Sequence, residues 1–207
     1  MLEHLPSWLG GLMRNMRAGH SKLAIVDPAL GLGPATIDLS SPAFASGARL
    51  PERFTADGDG ASPPLVWGPL PEGTRSLALI VEDPDAPALR PVVHALIWGL
   101  PADAGRIAEG AIVDDSEGGP LGDVGKNSTF RQGWLPPDPP NGHGPHDYVF
   151  QLFALGETEE IGTNPGRSEM IAAMEGKVLA AGLLVGTYSR GEPLHVDRVD
   201  VGFGLPA

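Results

Sequence analysis

The chain has 207 residues, enough for one good-sized hydrophobic core or at most two small ones. It contains no cysteine, which excludes disulfides, thiolate metal sites and cysteine nucleophiles. Its formal net charge of −12 argues against nucleic acid and anionic membrane surfaces as partners, so any anion it binds must be captured by a local constellation acting against the overall field. With 42% hydrophobic residues, 29 glycines and 22 prolines, it reads as a globular protein of short strands and many turns.

In chain order, Leu5, Trp8, Leu9, Leu12, Met13 and Met16 recur at helical spacing behind Ser7 as N-cap. This predicts an amphipathic helix over 1–20, packed on its own domain or across a homodimer interface, because so apolar a stripe is not left exposed. The opening residues lack a signal-peptide pattern, and no segment reaches the 18 or more apolar residues of a membrane span. A cytoplasmic protein without integral membrane association is the expectation. We divide the chain into this helix and its linker, 1–30, and a main domain, 31–207.

From residue 35 the apolar period changes to two. Strands are predicted at 35–39, 65–67, 76–81, 92–98, 148–155 and 184–188, separated by Gly, Pro, Asp and Ser turns. Those at 76–81, 92–98 and 148–155 are apolar on both faces, as central strands of a covered sheet would be. A second helix is predicted over 168–181, capped by Ser168, striped by Met170, Ile171, Met174, Val178 and Ala181, and closed by Gly182. Trp67 and Trp98 lie in strand patterns and should be buried, whereas Trp134, in a proline-rich loop, should be partly exposed.

The run Val81-Glu82-Asp83-Pro84-Asp85-Ala86-Pro87 follows the strand at 76–81. Proline cannot donate to a sheet ladder and drives the preceding residue out of the helical region, so the strand must end here. Asp83 and Asp85 are thereby held at a stiff strand end. In the strand at 92–98, alternation puts Val92, His94, Leu96 and Trp98 on one face; at 148–155, Tyr148 shares parity with His146 at the strand's start. The loop over 114–145 is too long and proline-rich for a plain connector.

Two imidazoles, a carboxylate and a phenol near strand ends can form a donor set for an anion, the carboxylate fixing one imidazole's tautomer. The rival readings are a metal-dependent or other hydrolase using Asp83, His94, His143 and His146, and an interaction protein whose pocket is vestigial. His143 and His146 lie in a Gly/Pro loop, so their spacing lends no helical geometry to a zinc site. No G-x-S-x-G elbow is present.

The ordered set Ser40-Ser41-Pro42-Ala43-Phe44, Ala61-Ser62-Pro63-Pro64-Leu65-Val66-Trp67, the Asp83 run, His94, Pro139-Pro140, Gly144-Pro145-His146-Asp147-Tyr148 and Gly186-Thr187-Tyr188 resembles the phosphatidylethanolamine-binding protein family, also called Raf kinase inhibitor-like proteins, and especially its bacterial branch. The resemblance spans roughly residues 35–190. It implies a mainly β fold: an antiparallel β-sandwich of two sheets with a few peripheral helices, here including the N-terminal and C-terminal ones. It also implies a non-enzymatic protein with no catalytic residues, cofactor or metal. A small surface pocket for phosphate-type anions or phosphorylated head groups would be lined by Asp83, Asp85, His94, Pro139, Pro140, His146 and Tyr148, and a kinase-regulatory role would be open to it. Three departures stand out. Asp147 occupies the place where the family usually has arginine, Asp138 precedes the proline pair, and Ala95 follows His94 where tryptophan often neighbours the histidine. A carboxylate facing the pocket at either aspartate would lower anion affinity.

Overall fold

A computed structural model of the chain describes residues 15–114, 121–157, 161–162 and 164–190. Among these residues, eight strands form two antiparallel sheets: β1 (Leu39–Ser40), β2 (Leu65–Trp67), β3 (Ser76–Asp83), β4 (Val92–Pro101), β5 (Arg106–Ile107), β6 (Asp123–Val124), β7 (His146–Leu155) and β8 (Val178–Tyr188). The larger sheet runs β6-β4-β3-β7-β8 and the smaller β1-β2-β5. The apolar side chains of β3, β4 and β7 go both ways, and both faces are covered, as their sequences require. On one face Leu79, Val81, Ala95, Ile97, Phe150 and Leu152 meet Leu39, Leu65 and Ile107 of the small sheet, closing the sandwich. On the other, Ile80, Leu96, Trp98 and Phe153 pack under helix α1 (Arg167–Met174) and under Ala24 and Leu30.

Several sequence expectations are corrected. The N-terminal helix does not extend through 15–20: residues 16–19 have no regular secondary structure, and short 3-10 turns follow at His20–Lys22, Ala24–Val26 and Pro28–Leu30. The rest of the predicted helix and most of its stripe lie outside the described residues; Met16, at its end, is exposed. The strand expected at 35–39 is reduced to Leu39–Ser40, and Thr36 makes only an isolated parallel bridge to Ala181. The second helix stops at Met174, not Ala181. Gly176 takes a left-handed φ of 69°, which halts the helix, and Val178, Ala180 and Ala181 then pair with Leu155, Ala154 and Phe153 as a strand. Gly182 is consequently a mid-strand residue opposite Leu152 and caps no helix. Trp98 is buried and Trp134 half-buried as expected, but Trp67, on the short β2, is also only half-buried.

Alternation along β4 fails at the residue that matters most. Val81 pairs with Ala95 while Glu82 pairs with Val93, so His94 is the extra residue of a bulge. Val93, Leu96 and Trp98 belong to the α1 side, whereas the His94 ring lies against Tyr148 and Trp134 on the sandwich side. His94 therefore does not share a face with Leu96 and Trp98.

Candidate functional site

The site is built where β3 ends and β7 begins. Asp83 closes β3, and its Oδ1 accepts from the backbone N–H of Asp85 (2.8 Å) and Ala86 (2.9 Å), forming the turn that Pro84 stiffens. Its Oδ2 accepts from Nδ1–H of His146, 2.7 Å away on the first residue of β7. The strand-end carboxylate is thus both a turn cap and the orienter of an imidazole. Nε2 of His146 lies 2.7 Å from Nδ1 of His143, which is fully buried. Gly142 and Gly144, with φ of 76° and 103°, let the loop double back to place His143 there. Asp83, His146 and His143 form a buried chain in which both nitrogens of His146 are engaged by protein.

Asp85 clasps the surrounding loops. Its Oδ2 accepts from the N–H of Asp147 (2.8 Å), and its Oδ1 lies 2.5 Å from Nη1 of Arg17. Pro139 and Pro140 are buried beside this cluster; the Pro139 carbonyl accepts from Arg190 and the Pro140 carbonyl from His143 N–H. Both carboxylate departures from the family pattern have a partner of their own. Asp138 is ion-paired to Arg190, and Asp147 accepts from Nε2–H of His20 at 3.1 Å.

The remaining pair carries the unfilled chemistry. Nδ1–H of His94 donates to the Leu135 carbonyl at 2.6 Å, while the Leu135 N–H returns a bond to the His94 carbonyl. The Tyr148 ring meets the His94 ring edge-on, centroids 5.0 Å apart. His94 Nε2 and the Tyr148 hydroxyl are both buried, and neither has a hydrogen-bond partner among the described residues. Burial pushes the His94 imidazole below its ordinary value, only partly opposed by the Asp83 charge and the Leu135 carbonyl. Burial, reinforced by Asp83, lifts the Tyr148 phenol well above its ordinary range, so it remains a neutral O–H donor.

All seven residues expected at the site are buried and gather at this corner, as two coupled pairs (Asp83 with His146, His94 with Tyr148), one clasp (Asp85) and a proline frame. Sequence reasoning missed Arg17 and Arg190 and placed His143 only in the metal alternative. Arg17 lay in a segment read as helix; Arg190 could have been suspected from its position two residues past Tyr188, which pairs with His146. Among the described residues, the single cluster with metal-ligating spacing is His20, Asp85 and Asp147, which the hydrolase alternative did not name.

A two-sheet antiparallel sandwich with an imidazole–carboxylate–phenol cluster at one sheet end defines a β-rich protein with a polar site set into its core. The phosphatidylethanolamine-binding protein family model matches residues 40–189, and the chain belongs to that family. A UPF0098 protein of Methanothermobacter thermautotrophicus is 38% identical over 156 residues, covering 75% of this chain and all of the relative. One from Aquifex aeolicus is 36% identical over 160 residues, covering 76% of this chain and 91% of its own. A relative from Mycobacterium tuberculosis, 37% identical over 78% of this chain and 75% of its own, carries the word lipoprotein in its name. Among solved structures, Escherichia coli YbcL superposes with a TM-score of 0.68 at 26% identity, covering 75% of this chain and 99% of its own. CT736 of Chlamydia trachomatis gives 0.67 at 31%, covering 75% and 98%. Among the described residues no helix is long and apolar enough to cross a membrane.

Proposed function

We propose that this chain is a non-enzymatic binding protein that takes a small phosphate-type anion, or the phosphate of a phosphorylated head group, at His94 and Tyr148. The observation that carries this reading is the pair of adjacent, buried, unpartnered polar atoms, His94 Nε2 and Tyr148 Oη. Buried polar groups are nearly always bonded, so two such atoms on rings in edge contact call for a ligand. Leu135 O can only accept, so Nδ1 of His94 keeps its proton and Nε2 donates only when the ring is charged. An anion would supply the counter-charge that burial denies to that imidazolium, and Tyr148 would add a neutral donor. The Asp83–His146–His143 chain holds the floor of the pocket in place. Both donor atoms lie below the surface, so entry has to open the rim, which favours small ligands. The reading assigns the protein to the cytoplasm and leaves a regulatory partner to respond to the filled or empty pocket.

The test is calorimetry or NMR titration with sulfate, phosphate and phosphoethanolamine. Tyr148→Phe removes one hydrogen bond worth about 0.5–1.5 kcal/mol, roughly a two- to ten-fold loss of affinity. His94→Gln should weaken binding more, because it removes the charged donor. Binding unchanged in both variants would overturn the assignment.

A further inference from the structure

On the opposite face of the large sheet, a cleft of about 430 Å³ is lined by Lys22, Asp27, Arg90, Pro91, Arg167, Ser168 and Ile171. Three cations converge on it in a chain with 14 basic and 26 acidic residues, so the local charge runs against the composition. Two of them are pinned. Arg167 donates from Nε to the fully buried Glu82 carboxylate at 2.5 Å and from Nη2 to the Lys22 carbonyl at 2.7 Å. Lys22 Nζ donates to the Leu89 carbonyl at 2.9 Å. Lys22 retains two ammonium protons beyond that bond, and Nη1 of Arg167 is not used by either of its bonds. The third cation, Arg90, is exposed and has no hydrogen bond or ion pair among the described residues; Pro91 restricts its backbone.

The carboxylates here are already committed. Asp27 caps the turn at Ala29, and Glu82 is sealed behind Arg167, where it also accepts from Ala24 N–H and Gln151. With both counted, the three cations still leave one positive charge in excess. Ser168 adds a hydroxyl, while Pro91 and the Ile171 side chain supply apolar surface.

We infer that this cleft is a second binding site, separate from the His94–Tyr148 cluster, and that it takes a small organic phosphate. Several donors arranged around one volume suit a tetrahedral dianion, whose oxygens accept from several directions, better than a planar carboxylate. Fixing two of the cationic heads in advance lowers the ordering cost of binding. The apolar lining by Pro91 and Ile171 is where the organic portion rests. Glu82 and Asp83 are consecutive on β3, so one strand end supports both sites from opposite faces.

The experiment is a backbone-amide NMR titration of the full chain with phenyl phosphate and, in parallel, inorganic phosphate at constant ionic strength. The amides of Arg90, Ser168 and Ile171 should move together along one binding curve. Tyr148→Phe should leave that curve unchanged, which separates this site from the first whatever the first one does. Arg167 is unsuitable as a probe, because removing it strands the buried Glu82 charge. Arg90→Ala removes an exposed, unpartnered side chain, so it should keep the melting temperature while weakening phenyl phosphate about five- to ten-fold. Adding Lys22→Ala should abolish the response. Cleft amides that stay still, or an Arg90→Ala protein that titrates like the wild type, would overturn the site. Equal affinity for inorganic and phenyl phosphate would overturn the organic portion of the claim.

Discussion

His94 couples the site to pH in two opposed ways. Its folded-state value lies below the ordinary 6.5 because burial penalises the charged ring. As pH falls through about 6.5, the unfolded chain takes up a proton that the folded chain resists, so stability declines until the folded-state value is reached. His94→Phe should flatten that decline in thermal melts. Sulfate, whose charge is fixed over this range, should oppose it: the bound anion raises the His94 value, so affinity climbs as pH falls through that raised value toward the depressed one of the free protein. Sulfate affinity that stays level from about pH 5 to 8 would leave Tyr148 as the sole donor and remove the imidazolium from the mechanism. Asp83 gives a sharper contrast. Asp83→Ala deletes a negative charge near the proposed anion, yet it unpairs His146 Nδ1–H and two backbone N–H groups, at about 1–3 kcal/mol for each group left unsatisfied. We expect lower stability in urea and weaker sulfate binding; tighter binding would mean that the carboxylate merely repels the ligand.

Among the elements, β4 decides the geometry. From Leu96 to Trp98 it alternates as the sequence says, burying Trp98 against Ile80, Phe153 and the methionines of α1, and a second register shift follows opposite Leu77 and Leu79. Trp98→Ala should therefore cost about 3–5 kcal/mol through the cavity it leaves, measured by chemical denaturation; a loss below about 1 kcal/mol would contradict that packing. The inner half is bulged, and the bulge turns His94 toward Tyr148. No feature of the run Val92-Val93-His94-Ala95 announces a bulge, because it arises from the register of β4 on β3. The element over 168–181 teaches the same lesson. Met170, Ile171 and Met174 are apolar because they cover the sheet as a helix, and Val178 and Ala181 because they lie in β8 on the same side of it. Periodicity merged two elements that share one core.

Across the whole molecule, the segment 17–30 is wrapped onto the sandwich at both faces of the end of β3. Ala18 N–H and Gly19 N–H donate to the carbonyls of Ala86 and Pro84, Arg17 pairs with Asp85, and Ala24 N–H reaches Glu82 on the far face. Arg17, Ala18, Gly19 and Ala24 precede the span matched to the family, and their partners on and just after β3 lie within it. Deleting residues 1–20 should lower the melting temperature and loosen the turn that holds Asp83. If the deleted stripe also forms a homodimer, sedimentation will show the mass halving; an unchanged melting temperature and mass would show that the segment contributes to neither.

The central strands, the stop at Asp83-Pro84 and the shared face of His146 and Tyr148 are legible in the residues themselves, whereas the sandwich class and the set of seven residues were implied only by the family resemblance. The first three follow from local rules: apolar runs bury themselves, proline ends a ladder, and strand parity carries His146 and Tyr148 to the same face. Only the tertiary structure decided what those residues do for one another. Asp83 reaches His146 across 63 positions, Asp138 and Asp147 are met by Arg190 and His20, and His94 changes face at a bulge. Each of these depends on which strand lies beside which and in what register. That choice is made by the packing of two sheets and a helix as a unit, and no window of sequence contains it.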